Sequence, residues 1–187
     1  IEGARHIFEQ QADSDSYSAL RLASFGVIEG DNSAVWRWLA EAIQLNPAGY
    51  AERLFQGAFC LMNGDARSAV SYLRIALDAR PNSSVAYSNL GLAYLSLHRP
   101  DKAYYSLKKS VALDPFNRSA LVALADVANS LGRDREVLPY LKYFVEFEQK
   151  SSAVWGRFAR SLLRLDFLED CIHALKRQGA LESSVEV

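Results

Sequence analysis

Three prolines of this chain are evenly spaced. Pro47, Pro81 and Pro115 stand 34 residues apart, in the contexts Leu45-Asn46-Pro47, Ala79-Arg80-Pro81 and Leu113-Asp114-Pro115. Gly30 and Gly64 share that spacing, each is followed by Asp, and Gly132 lies two periods beyond Gly64. Proline lacks an amide proton and its ring clashes with the preceding helical turn, whereas glycine adopts turn conformations at little steric cost. The prolines therefore end one helix of each period, and the glycines break its middle. A chain with such a period stacks copies of one supersecondary unit, since no single copy can bury its own apolar face.

The period gives five units, 16–49, 50–83, 84–117, 118–151 and 152–185, with apolar residues at helical spacing inside them, as in Leu121, Leu124, Ala125 and Ala128. The third unit carries the fullest pattern: Tyr87-x-x-Leu90-Gly91-x-x-Tyr94, then Ala103-x-x-x-Leu107, then Pro115. The fifth repeats its first half as Trp155-x-x-Phe158-Ala159-x-x-Leu162. In the second, Gly57, Cys60, Ala69, Leu73, Ala76 and Pro81 fall in register, and in the fourth Gln149 replaces the proline. This pattern resembles the tetratricopeptide repeat family. The resemblance implies an all-α, right-handed solenoid of antiparallel helix pairs, each a helix A, a tight turn and a helix B. Gly57, Gly91, Ala125 and Ala159 then let each helix A approach its partner closely.

Residues 1–15, with Ala4, Ile7, Phe8 and Ala12 at helical spacing, read as the B helix of a preceding unit. The tail after Gly179 is short and polar and does not read as a capping helix, so both ends are expected to expose apolar surface. Pro100 suits the first position of a B helix, with Asp101 near its positive end. Pro139 falls beyond the first turn of its B helix and is expected to kink it.

Composition narrows the function. Twenty-one Lys and Arg oppose 22 Asp and Glu, a net charge of -1, so no global attraction to nucleic acid is expected. No apolar run is long enough for direct membrane insertion. The sequence has no phosphate loop, nucleophile elbow or zinc-protease motif. His6, His98 and His173 have no mutual ligand spacing, and Cys171 and His173, two apart, face different sides of a helix. Cys60 and Cys171 fall on inward positions and read as structural thiols. Trp36, Trp38, Tyr140, Tyr143, Phe144 and Phe147 are expected to pack between repeats, with one of the two tryptophans partly exposed. The sequons Asn82-Ser83-Ser84 and Asn117-Arg118-Ser119 are short enough to arise by chance. The chain reads as non-catalytic, with no cofactor and no metal.

In the family the sequence resembles, A helices line a concave groove. Carried over position by position, the groove residues of the second unit are Ala51, Leu54, Phe55, Ala58, Leu61 and Met62. The third unit supplies Val85, Ser88, Asn89, Leu92, Leu95 and Ser96. The fourth turns polar, with Ser119, Val122, Ala123, Asp126, Asn129 and Ser130, and the fifth basic, with Arg157, Arg160, Leu163 and Arg164. Asn89 matches one position of the family's carboxylate clamp, but Leu20 and Ser24, or Leu54 and Ala58, stand where the clamp has Lys and Asn. Arg157, Arg160 and Arg164 share one helix face, as an anion clamp or as solvated charge with Asp126 neutralising one of them. The expectation is an adaptor that holds a peptide or helix of a partner protein, with apolar anchors at one end and acidic residues at the other. The alternatives are a homo-oligomer joined through the ends, and the targeting module of a larger enzyme or membrane assembly.

Overall fold

The structure, a computed structural model, describes residues 2–12 and 14–183. Among these residues there are eleven α-helices and no strand. They are α1 (Glu2–Gln11), α2 (Ser16–Glu29), α3 (Asn32–Leu45), α4 (Tyr50–Met62), α5 (Ala66–Ala79) and α6 (Ser84–Ser96), followed by α7 (Pro100–Leu113), α8 (Arg118–Ser130), α9 (Asp134–Phe147), α10 (Ser152–Arg164) and α11 (Leu168–Ser183). The A helices α2, α4, α6, α8 and α10 start 34 residues apart, with no insertion or deletion.

The chain divides into two compact units, Ile1–Pro81 and Asn82–Val187. In the first, α2 pairs with α3 and α4 with α5, while α1 lies against α2 and α3 meets α4. In the second, α6 pairs with α7, α8 with α9 and α10 with α11. There α7 packs on α8, α9 packs on α10, and the A helices α8 and α10 are neighbours.

Each turn inside a pair closes in the same way. Gly30, Gly64 and Gly132 have φ of 73°, 81° and 68°, in the left-handed region. The residue after each turns its amide back into the A helix: Asp31 N donates to Gly26 O at 2.9 Å, Asp65 N to Cys60 O at 2.9 Å and Arg133 N to Ala128 O at 2.7 Å. These bonds satisfy carbonyls that a helix end leaves without partners. The remaining two turns use the same backbone without glycine. His98 (φ 53°) and Asp166 (φ 67°) hold the equivalent position, and Arg99 N and Phe167 N donate to Tyr94 O and Leu162 O, each at 2.9 Å. Glycine marked only three of the five turns in the sequence because the backbone, not the residue type, repeats.

Helix starts follow from capping. Asp15, Ser83 and Asn117 cap α2, α6 and α8, and Asp31 and Asp65 cap α3 and α5, each side chain accepting from amides of the first turn. Asn117 Nδ2 also bonds Ser84 Oγ at 3.1 Å, so this sequon asparagine is structurally engaged. Pro100 occupies the first turn of α7, where its missing amide proton costs nothing.

The pairs close on small residues. A Cβ added at Gly91 would lie 2.5 Å from Leu107 Cγ, and one at Gly57 would lie 2.6 Å from Leu73 Cγ. In the second unit the core is built from Tyr104, Leu107, Leu121, Leu124, Leu141 and Phe144, joined by Val154, Trp155 and Leu162. In the first, Ala12, Ala19, Leu22 and Ala42 form one cluster, and Ala23, Val35 and Phe59 another. Cys60 and Cys171 are buried free thiols, and desolvation raises the pKa of Cys60 above the ordinary thiol range. Trp36 is exposed, and Trp38 is half-buried against the core.

One expectation changes. α11 continues through Gly179 to Ser183, since nothing at that glycine requires left-handed backbone; the tail beyond 183 and the Ala4 side chain lie outside what is described. Pro139 sits inside α9, which runs past it to Phe147, and α8 and α9 are less closely packed than α6–α7 or α10–α11.

Candidate peptide-binding surface

In the second unit, α6, α8 and the start of α10 border a groove of about 730 Å³. Its floor is Leu92 and Leu95 of α6 with Val122 and Ala123 of α8, all partly buried. One wall carries Asp126, and the rim carries Arg118, Lys150 and Ser152. Apolar side chains left half-exposed in a concave surface lose water when another apolar group covers them, which makes such a groove a binding feature.

The expected residues separate into three groups. Leu92 and Leu95 are brought together on the floor, and Asp126 lies beside them. Val85 is exposed and Asn89 half-buried on α6, without lining the groove. Ser88 is a correction: it is only 5% exposed, because its short side chain does not reach past its neighbours, so it is not available to a partner. In the first unit, Leu54, Phe55, Ala58 and Leu61 are half-buried on α4 and Met62 is exposed; Phe55 packs against the cluster of Ala23, Val35 and Phe59.

The three arginines do not form an open anion clamp. Arg157 Nη2 and Nε donate to Asp126 Oδ2 at 2.7 and 3.2 Å, and Arg160 Nη1 reaches Asp126 Oδ1 at 3.4 Å. Arg164 turns to a different acid: its Nε donates to Asp134 Oδ2 at 2.9 Å. Asp134 is buried at the start of α9, and Oδ1 also accepts from Ser161 Oγ at 3.2 Å and Asn129 Nδ2 at 3.3 Å. Asn129 is thus committed to holding a buried carboxylate. An acid at the first position of a helix is ordinary in sequence, and nothing there signalled its burial.

Sequence reasoning also missed Arg118 and Lys150. Both line the groove, and neither side chain has an ion-pair partner among the described residues. Arg118 opens α8 and Lys150 lies in the loop before α10, places that resemble ordinary surface charge, and only stacking brings them to one rim. Among the described residues, no group of three His, Cys, Asp or Glu is placed to hold a metal, and no helix is long and apolar enough to cross a membrane.

The repeated helix pairs, the 34-residue register and the recurrent closing turn define the tetratricopeptide-repeat fold, and this chain has it. Solved structures show the same architecture. MamA from Desulfovibrio magneticus RS-1 superposes with a TM-score of 0.75 at 17% identity, over 91% of this chain and 97% of that one. PilF of Pseudomonas aeruginosa gives 0.76 at 14% identity, over 91% and 78%. YrrB, described as a TPR protein with an unusual peptide-binding site, gives 0.74 at 14% identity, over 96% and 92%. Among curated proteins, the BBSome complex member bbs-4 of Caenorhabditis elegans is 22% identical over 168 residues, covering 76% of this chain and 36% of that protein. The chain thus spans about a third of the length of that relative. No family model matches the chain.

Proposed function

We propose that the chain is a non-catalytic interaction module of five repeats that holds an extended or helical segment of a partner protein in the groove of its second unit. The observation that carries this reading is the half-exposed apolar floor of Leu92, Leu95, Val122 and Ala123 beside two uncompensated cations, Arg118 and Lys150. Such a surface selects an apolar anchor next to an acidic residue. YrrB, with its peptide-binding site on the same fold, supports the class of ligand. The α4 residues Leu54, Phe55, Ala58, Leu61 and Met62 offer a second apolar surface in the first unit.

Selection of a displayed peptide library on the purified chain tests the reading. Enriched peptides should pair bulky apolar residues with Asp or Glu. Leu92→Asp should abolish their binding while the chain stays folded, and Arg118→Gln with Lys150→Gln should weaken binding and flatten its salt dependence. Failure to enrich any such peptide, or binding indifferent to Leu92→Asp, counts against the groove.

A second reading, self-association, has its own observation. Leu163, Phe167, Leu168, Ile172 and Leu175 are exposed on α10, α11 and the turn between them. Leu175 is 51% exposed, whereas Leu141 and Leu107, one and two periods earlier in the same phase, are fully buried. Light scattering over a range of concentrations decides it: a constant monomer mass, unchanged in Leu175→Glu, rules the second reading out.

A further inference from the structure

Away from the groove, the second unit has two equivalent crevices between neighbouring B helices. The α7–α9 crevice is filled by the chain itself. Tyr104 is only 1% exposed; its Oη donates to Glu136 Oε2 at 2.8 Å, and Lys108 Nζ donates to the same oxygen at 2.7 Å. The Arg133 guanidinium covers the ring, 4.7 Å from its centroid. One period later, each position has a counterpart: Leu138 for Tyr104, Lys142 for Lys108, Phe167 for Arg133 and Asp170 for Glu136. The acid, the lysine and a ring-covering residue are kept, and the tyrosine is replaced by a shorter side chain.

The α9–α11 crevice is accordingly open. A cavity of about 430 Å³ lies there, floored by Leu138, Val145, Trp155, Phe158 and Leu162, with Phe167 at its side and Lys142 and Asp170 at its mouth. The Trp155 ring is fixed by its Nε1–H donating to Gln149 O at 3.0 Å. The Asp170 and Lys142 side chains have no ion-pair partner among the described residues.

We propose that this crevice is a docking site for a tyrosine side chain of a protein partner, the ring against Leu138, Trp155 and Phe158 and the hydroxyl donating to Asp170. The chain's own Tyr104, seated among the equivalent residues, is the template. The site is separate from the groove, so it stands or falls independently of the peptide-binding reading.

p-Cresol, the tyrosine side chain as a free molecule, is the probe, with toluene as the ring lacking a hydroxyl. Titration followed by NMR should give saturable shifts at the Trp155 indole N–H and the Leu138 methyls, with a dissociation constant on the order of 1 mM. Toluene should bind more weakly. Asp170→Asn should lower p-cresol affinity about tenfold and leave toluene unchanged, as loss of a charge-assisted hydrogen bond requires. Leu138→Tyr should refill the crevice, block p-cresol and raise the melting temperature. No saturable shift at Trp155, equal binding of toluene and p-cresol, or p-cresol affinity unaltered by Asp170→Asn would each overturn the proposal. The Asp170 result decides it even if Leu138→Tyr does not fold.

Discussion

His98 and Asp166 hold left-handed backbone that costs an L-residue about 1 to 2 kcal/mol, because Cβ crowds the following carbonyl. Glycine at either position relieves that strain, offset in part by its greater freedom when unfolded, so His98→Gly and Asp166→Gly should each stabilise by up to about 1 kcal/mol. Thermal unfolding checks this, with Gly64→Ala as the converse that lowers the melting temperature. Gly91 presents the opposite case. Its Ala variant forces a methyl against the buried Leu107 side chain and should cost about 1–3 kcal/mol in urea unfolding. Asp31 and Asp65 set part of the response to acid. Their carboxyls are held below the ordinary carboxylate range, Asp31 chiefly by the Ala34 amide and Asp65 by the Ser68 hydroxyl. Stability from these caps is therefore full above the ordinary value and is lost as pH falls through the lower folded-state value. Asp31→Asn with Asp65→Asn should make stability less steeply dependent on pH below about 4; an unchanged profile would locate acid sensitivity elsewhere. At this scale the sequence was legible where a residue type is forced, as at Gly91, and not where the backbone tolerates a substitute, as at His98.

Among elements, α9 depends on the helices on either side of it in the chain. Its buried Asp134 is held by Asn129 of α8 and by Ser161 and Arg164 of α10. Removing Arg164 leaves a buried carboxylate with neutral partners only, so Arg164→Met should destabilise by about 1–3 kcal/mol. Arg157→Met and Arg160→Met, which break exposed pairs with Asp126, should cost less than about 1 kcal/mol each. Urea unfolding of the three variants checks the order, and equal losses would refute it. The spacing of the arginines put them on one face, as their common helix requires. It could not reveal the acids, because Asp126 and Asp134 reach them only through the packing of α8 and α9 on α10. The apolar floor was more legible: Leu92 and Leu95 follow from position within the repeat, while Arg118 at the first position of α8 and Lys150 in the α9–α10 loop carry no mark of the groove they border.

For the whole molecule, helix order and start were readable because one period governs turns, caps and close contacts together. Removing 118–151 should leave a shorter, fully helical chain, since within the second unit the contacts between pairs run from each pair to the next along the chain. Removing about half a period should not, because it joins two helices of the same kind. Circular dichroism and cooperative melting distinguish the outcomes, and equal damage from both deletions would argue against nearest-neighbour stacking. The unbroken spacing of helix starts from Ser16 to Ser152 has a consequence for the gene as well. A misaligned exchange between two units removes or adds a whole number of codons, so the reading frame survives. The junction also keeps the phase of the helices wherever in the unit the breakpoint falls. Copy number can therefore drift by single steps without any intermediate that fails to fold, and the length of such a chain is free to follow the length of what it binds.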